Sequence, residues 1–238
     1  MRIHIFNRRR EMKDFVIRMW QGFGRSAVRE RGSFFVAVSG GKTPLTFYTA
    51  LARSRNITTW PVTHIFLCDE HFVPFRNKAN NYRKLKESFF ALCPVPGKNI
   101  HAIHTEGTAK ASAKKYEEEI KDVFNLRRGE IPRFDLIMLG IGEDGHTASL
   151  LPGNPVLQEK KRLAVDVYDA SSGQYRVTCT LPVINNARQV IFLVTGQKKA
   201  RIIKDIVDKK KMVPASLVRP KNKKIMCILD KGAAGLLA

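Results

Sequence analysis

No apolar run in this 238-residue chain approaches the roughly 20 residues a bilayer-spanning helix needs. The opening "MRIHIFNRRREMKDF" also lacks the apolar stretch of a secretory leader, so a cytoplasmic protein that makes no use of a membrane is expected. Without a leader, the sequon Asn56-Ile57-Thr58 carries no weight. Cysteine is scarce: Cys68, Cys93, Cys179 and Cys227 form no C-x-x-C pair, and three of them fall in apolar segments suited to strands. All four are expected to be free thiols acting as small hydrophobes. No H-E-x-x-H or comparable ligand spacing occurs, and no metal is expected.

Acidic residues are the other shortage. The 21 Asp plus Glu face 42 Lys plus Arg, a formal charge of +21, which favours anionic partners and says nothing about fold. Basic clusters at Arg8-Arg9-Arg10, Lys209-Lys210-Lys211 and 219–224 are not interleaved with aromatics as a base-stacking surface is. Solvated surface charge is the expectation for most of them, and nucleic acid a minor one. Internal repeats, low-complexity tracts and linkers are missing too. With 44% apolar content, one domain over residues 1–238 is expected.

What is present is alternation. Apolar segments suited to strands recur at 2–6, 34–38, 64–68, 134–139, 163–167, 176–181, 190–195 and 224–229. Helical patterns occupy 11–31, 44–53, 81–92, 108–126 and 197–209. This order predicts an α/β fold with a mainly parallel sheet covered on both faces by helices. The strands near 163 and 176, joined by "DASSGQ", suggest a small antiparallel excursion.

Ligands bind such folds at the carboxyl ends of the strands, so the loops after strands carry the search. The first is Ser39-Gly40-Gly41-Lys42-Thr43. It is not a Walker loop: G-x-x-x-x-G-K-[ST] needs glycine five residues before Gly41, where Val36 stands in a strand. A strand, a glycine turn and a helix start, with Thr43 as N-cap and Pro44 opening the helix, still leave unpaired amides at a positive helix end. Such an end suits one compact anion such as a phosphate monoester, although an ordinary strand-to-helix turn has the same residues and Lys42 can be a solvated charge. The second loop, "IFLCDEHFVP", sets Asp69, Glu70 and His71 abruptly after four apolar residues, a pattern shared by clefts and plain polar loops. The third, "FDLIMLGIGEDGHTASLLPG", ends a strand in Gly140-x-Gly142 and then presents Asp144, Gly145 and His146. Glycines let backbone crowd a ligand, His146 suits acid–base work near neutrality, and Asp144 is close enough to orient its ring. Catalysis is the favoured reading of that loop. His4 and His64 read as strand residues, and His101 and His104 as loop residues without a partner motif.

These motifs, "SGGKTP", "DEHFVP" with "NNY", "GIGEDGHTASLLPG", "RVTCTLPVINNA" and "VTGQKKA", resemble in type and order those of the 6-phosphogluconolactonase family, a more distant relative of glucosamine-6-phosphate deaminases. The resemblance spans roughly 34–230. Its most specific part is Ala148-Ser149-Leu150-Leu151-Pro152, where the deaminases carry an Asn-Glu-Pro stretch. It implies a Rossmann-like fold of the sugar-phosphate isomerase/deaminase type and cofactor-free hydrolysis of 6-phosphoglucono-1,5-lactone. The implied partner is that phosphorylated sugar lactone, bound by a monomer or small homo-oligomer. The catalytic group would comprise His146 as general base, Asp144 orienting it, and Asp69 with His71. Ser39, Gly40, Gly41, Lys42, Thr43, Gly142, Arg176 and Lys199 would bind substrate and phosphate.

The chain departs from that pattern in three places. The family usually has arginine where His71 stands, so His71 must serve as a protonated ring or a neutral donor, or Arg76 or Arg83 must replace it. Asn80 stands for the serine before Asn-Tyr, and "DASSGQY" for a proline-rich approach to Arg176. A catalytically weak sugar-phosphate sensor and a deaminase-like enzyme stay open as alternatives.

Overall fold

The computed structural model describes residues 1–237. Its strands and α-helices are, in chain order, β1 (Arg2–Phe6), α1 (Arg9–Arg31), β2 (Phe34–Val38), α2 (Lys42–Ala52), β3 (Thr63–Leu67), β4 (Asp69–His71), α3 (Asn81–Leu85), β5 (Ile100–His101), α4 (Ala109–Val123), β6 (Leu136–Leu139), β7 (Ala164–Asp169), β8 (Gln174–Cys179), α5 (Leu181–Asn185), β9 (Val190–Val194), α6 (Ala200–Val207), α7 (Pro214–Leu217) and β10 (Ile225–Asp230).

Strands β6 (LIML) and β9 (VIFLV) have every residue buried, so they can form only where both faces of the sheet are covered. They lie inside a seven-stranded sheet of order β1-β10-β9-β6-β2-β3-β5, in which all pairs are parallel. Helix α1 buries Met12, Val16, Trp20, Gly24 and Ala27, residues at helical spacing along one stripe. Trp20 meets Phe34 of β2 edge-on at 5.4 Å between ring centroids, which locks the helix to the sheet.

The order reverses between β2 and β6. From β2 the chain proceeds outward through β3 to β5, and from β6 through β9 and β10 toward β1. Loops leaving two such neighbours diverge and open a crevice at their carboxyl ends. The glycine turn after β2 and the His146 loop after β6 flank that crevice, and Ser39 N–H donates to Met138 O across it (3.0 Å).

A second sheet, antiparallel with order β4-β8-β7, stands at the same end. The antiparallel excursion expected from the sequence is therefore present, with one more strand than its pattern showed. Residues 69–71, read as a loop, form β4, because Asp69 and Glu70 are buried and pair with β8. Cys68 joins the sheets, its N–H donating to Val38 O and its carbonyl accepting from Cys179 N–H, each at 2.8 Å. All four cysteines are buried and free.

Other boundaries shift for identifiable reasons. Helix α2 starts at Lys42 rather than Pro44, and Gly41 (φ 103°) takes the N-cap position. Thr43 does not cap it; its hydroxyl pairs at 2.8 Å with that of Thr195 beyond β9. The helix expected over 81–92 is α-helical only to Leu85 and widens into π-helical turns over Lys86–Phe90. His101 is no loop residue without a partner: it lies in β5, stacks on Phe66 at 4.0 Å, and pairs with Glu119 at 2.8 Å and His64 at 3.1 Å.

Candidate active site

The crevice opens into a cleft of about 420 Å³. Its walls include Ser39 to Thr43, Asp69, His71, Gly142, His146, Arg176 and Lys199, so residues up to 160 positions apart in sequence meet there. Asp144 is the one predicted site residue outside the walls; it stands behind His146.

The glycine turn forms one side. The first hydrogen bond within α2 runs from Leu45 N–H to Gly41 O, so the amides of Gly41, Lys42 and Thr43 have no intrahelical partner at the positive helix end. Gly40 is required by packing. A Cβ there would lie 2.2 Å from Oδ1 of buried Asn81, whose side-chain amide donates to Asp69 O (3.2 Å).

The His146 loop forms the other side. Gly142 N–H donates to His146 O (2.8 Å), and Gly145 N–H donates to Gly142 O (3.1 Å), closing a tight backbone ring. Within it, His146 Nδ1 is 2.6 Å from Asp144 Oδ1, which also accepts from His146 N–H at 3.1 Å. Partial burial would raise the Asp144 carboxyl, but these donors outweigh it and hold Asp144 below its ordinary value. Asp144 is thus a carboxylate, which favours the tautomer with the proton on Nδ1 and a lone pair on Nε2. Residues 147–150 make a turn rather than a helix, with Leu150 N–H donating to Thr147 O (2.9 Å). Ser149 on this turn donates its hydroxyl to Asp69 Oδ2 at 2.8 Å, which ties Asp69 to the loop.

The small sheet supplies the third wall. Its register sets His71 opposite Arg176, with 3.5 Å between Nε2 and Nη1. Arg176 Nη2 donates to Asp169 Oδ2 at 2.6 Å, and its Nε is buried without a partner among the described residues, while the residue as a whole lines the cleft. Ser171 and Ser172 hydroxyls also donate to Asp169, at 2.6 and 2.8 Å. Desolvation opposes ionisation of Asp169, yet these hydrogen bonds and Arg176 hold it far below the usual carboxylate range. The "DASSGQY" turn therefore anchors Arg176 by a different device from proline. Asn80, which stands where the family has serine, caps α3, its Oδ1 accepting from Arg83 N–H (2.8 Å).

Burial, and then the Arg176 guanidinium, push His71 below its ordinary value, so the ring is neutral near pH 7. Neither arginine named as its replacement lines the cleft: Arg83 bonds Glu87 and the Arg76 carbonyl on the exposed side. Lys84 does line it. Its ammonium donates to Ala79 O at 2.8 Å, and burial lowers its pKa against the opposing pull of Glu70 and Asp69.

Lys84, Asn81 and Asp169 were not marked as site residues in the sequence, and Glu70 was marked only as part of a polar loop. Glu70 is fully buried and accepts N–H bonds from His71, Asn81 and Tyr82 at 2.8, 2.6 and 2.7 Å, so it fastens α3 to β4. Burial raises its carboxyl to about 8 even against those donors. The signal for Lys84 was its position three residues after Asn81, one helical turn along the same face.

Because folded His71 resists protonation and unfolded His accepts a proton near 6.5, its contribution to stability is full above that pH. It is lost as pH falls through the depressed folded value. Thermal unfolding followed from about pH 8 to about pH 5.5 should therefore show a shallower acid-side loss in His71→Gln than in wild type. Equal slopes would place the acid sensitivity elsewhere.

Among the described residues, no group of three or more His, Cys, Asp or Glu is arranged to hold a metal ion, and no helix is long and apolar enough to cross a membrane.

Known proteins share this sequence pattern and this fold. Residues 8–227 match a family model described as glucosamine-6-phosphate isomerases/6-phosphogluconolactonase. A 6-phosphogluconolactonase of Synechocystis is 37% identical over 211 residues, covering 87% of this chain and 86% of that protein. One of Homo sapiens is 34% identical over 216 residues, covering 87% and 82%. The crystal structure of a Thermotoga maritima 6-phosphogluconolactonase superposes with a TM-score of 0.84 at 29% identity, covering 97% of this chain and 99% of that one.

Proposed function

The chain belongs to the glucosamine-6-phosphate isomerase/6-phosphogluconolactonase family, and on that premise we propose that its cleft hydrolyses 6-phosphoglucono-1,5-lactone to 6-phosphogluconate with His146 as general base. The observation that carries this reading is the 2.6 Å pair between His146 Nδ1 and the Asp144 carboxylate, set across one cleft from the open amides of the glycine turn.

The turn from Ser39 to Thr43 would hold the 6-phosphate, with Arg176 and Lys199 as cationic donors. That places the lactone carbonyl toward His146. Nε2 takes a proton from water as the water oxygen bonds to C1, and the carbonyl electrons move onto oxygen. The tetrahedral intermediate then collapses, the bond from C1 to the ring oxygen breaks, and the imidazolium returns its proton to that oxygen. Asp144 compensates the transient positive charge. Lys84, Arg176 and neutral His71 are the groups available to offset the oxyanion, an effect worth about 10²-fold or more per donor.

Asp144→Asn would let an amide N–H face Nδ1 and so favour the tautomer with the proton on Nε2. Hydrolysis should fall, by less than on removing the imidazole, while 6-phosphogluconate binding is unchanged. A full-rate Asp144→Asn protein would contradict the orienting role.

The purified protein should hydrolyse the lactone and release no ammonia from glucosamine 6-phosphate. Ammonia release without lactone loss would reverse the assignment within the family.

A further inference from the structure

The catalytic cleft leaves most of the +21 charge without a role, and part of it converges elsewhere. A second cavity, about 820 Å³, shares no lining residue with the cleft. Lys209, Lys211, Arg219, Lys221 and Lys223 line it, and no acidic residue does. Two basic clusters that lie about ten residues apart in sequence are thus brought to one opening by α7 and the turn before β10.

These cations are not neutralised by neighbours. Asp208, the acid beside them, is paired with Lys204 and Lys210 at 3.3 Å each, and among the described residues none of the five takes part in an ion pair. Lys209 and Lys223 adopt φ of +57° and +59°, a left-handed region that glycine and asparagine enter more cheaply. The chain places lysine there nonetheless. At Lys209 the left-handed residue closes the end of α6, where Lys210 N–H donates to Asp205 O at 2.9 Å.

Between the cations the surface is apolar: Ile206, Met212, Val218, Pro220 and Ile225 line the same cavity. Met212 is 81% exposed, the extreme among the large hydrophobics. Flexible, polarizable methionine at an open apolar surface adapts to varied apolar side chains. The wall is fixed from behind, because Ala215 N–H donates to Gly145 O at 3.0 Å and Val213 packs on Gly145.

We propose that this cavity docks an acidic peptide segment of a partner protein, one whose carboxylates meet the lysine rim and whose apolar side chains enter the floor. Charge complementarity selects an anion, and the apolar floor selects one with apolar groups, which a bare polyphosphate lacks. No aromatic side chain lines the cavity, so it offers no platform for stacking bases. Its concave form does not match a planar bilayer surface, which amphipathic helices enter with a protruding face.

The test is fluorescence anisotropy with a labelled peptide of alternating glutamate and leucine, titrated with the full chain. Binding should weaken as salt rises from about 20 to about 200 mM. The triple variant Lys211→Glu, Lys221→Glu, Lys223→Glu should bind at least about tenfold more weakly. An all-glutamate peptide of equal charge should also bind at least about tenfold more weakly, since it leaves the floor uncovered. These residues lie in exposed segments, and circular dichroism checks that the variant is folded. Unchanged affinity in the folded triple variant would overturn the proposal, as would equal binding of the all-glutamate peptide. Tighter binding of single-stranded RNA or of phosphatidylserine vesicles through the same lysines would also overturn it, assigning the site to those ligands. None of these readings depends on lactone turnover, so they stand or fall apart from the catalytic assignment.

Discussion

Replacing His146 by alanine should reduce catalysed hydrolysis of 6-phosphoglucono-1,5-lactone by about 10²- to 10⁴-fold, the range a positioned general base contributes. Affinity for 6-phosphogluconate should persist, because no donor of the glycine turn and neither Arg176 nor Lys199 is touched. The side chain is partly exposed, and its contacts are with Asp144 rather than with the core, so the fold should survive the truncation. Loss of rate with retained product binding separates a base from a phosphate ligand. Loss of both would mean that His146 holds the ligand, and an undiminished rate would remove it from the mechanism.

The second large effect is expected at a residue with no functional group. A Cβ on Gly142 would fall 2.2 Å from His146 Nδ1 and 2.4 Å from Asp144 Oδ1, inside the hydrogen bond that fixes the tautomer. Both side chains must shift to admit it, and the Gly142 N–H bond to His146 O keeps the glycine close beneath them. Gly142→Ala should therefore displace the imidazole by an ångström or so and lower turnover by about 10²-fold, the scale of a small misplacement of catalytic groups. Kinetics of the variant check this, together with the imidazole proton resonances, which should lose the signature of a carboxylate-bonded Nδ1–H. A Gly142→Ala protein with wild-type turnover would show that the loop relaxes freely and that the close approach is not needed.

Much of this site was legible because it depends on residue types with few other uses. Two glycines after a strand, and a histidine two residues from an aspartate, announce a turn and an oriented ring wherever the fold places them. The parallel sheet was equally plain, since short apolar runs such as 190–194, alternating with longer helical patterns, fit strands covered on both faces. What could not be read are features made by pairing across long separations. Strand β4 is only Asp69–His71, and it exists because β8 lies opposite, 105 residues away between His71 and Arg176. Its two acids read as loop residues for that reason, and Glu70 emerged as a buried fastener of α3. Asp169 sits in a turn whose sequence announces only a turn, and its role appears once hairpin register brings Arg176 to it. Lys84 faces the cleft because α3 is aimed by Asn80 and Glu70, which a helical pattern alone does not specify.

His71 shows the same point in its chemistry. The sequence left its charge open, and the environment settles the direction: burial next to Arg176 favours the neutral ring. The cations near that position are Arg176 and Lys84 rather than His71 itself.

The most direct measurement is the rate at which purified protein consumes 6-phosphoglucono-1,5-lactone and its unphosphorylated counterpart, each corrected for spontaneous opening. The assignment of the glycine turn to the 6-phosphate and of His146 to the carbonyl predicts strong acceleration of the phosphorylated lactone and a much smaller kcat/KM for the other. No acceleration of the phosphorylated lactone above the spontaneous rate would contradict it.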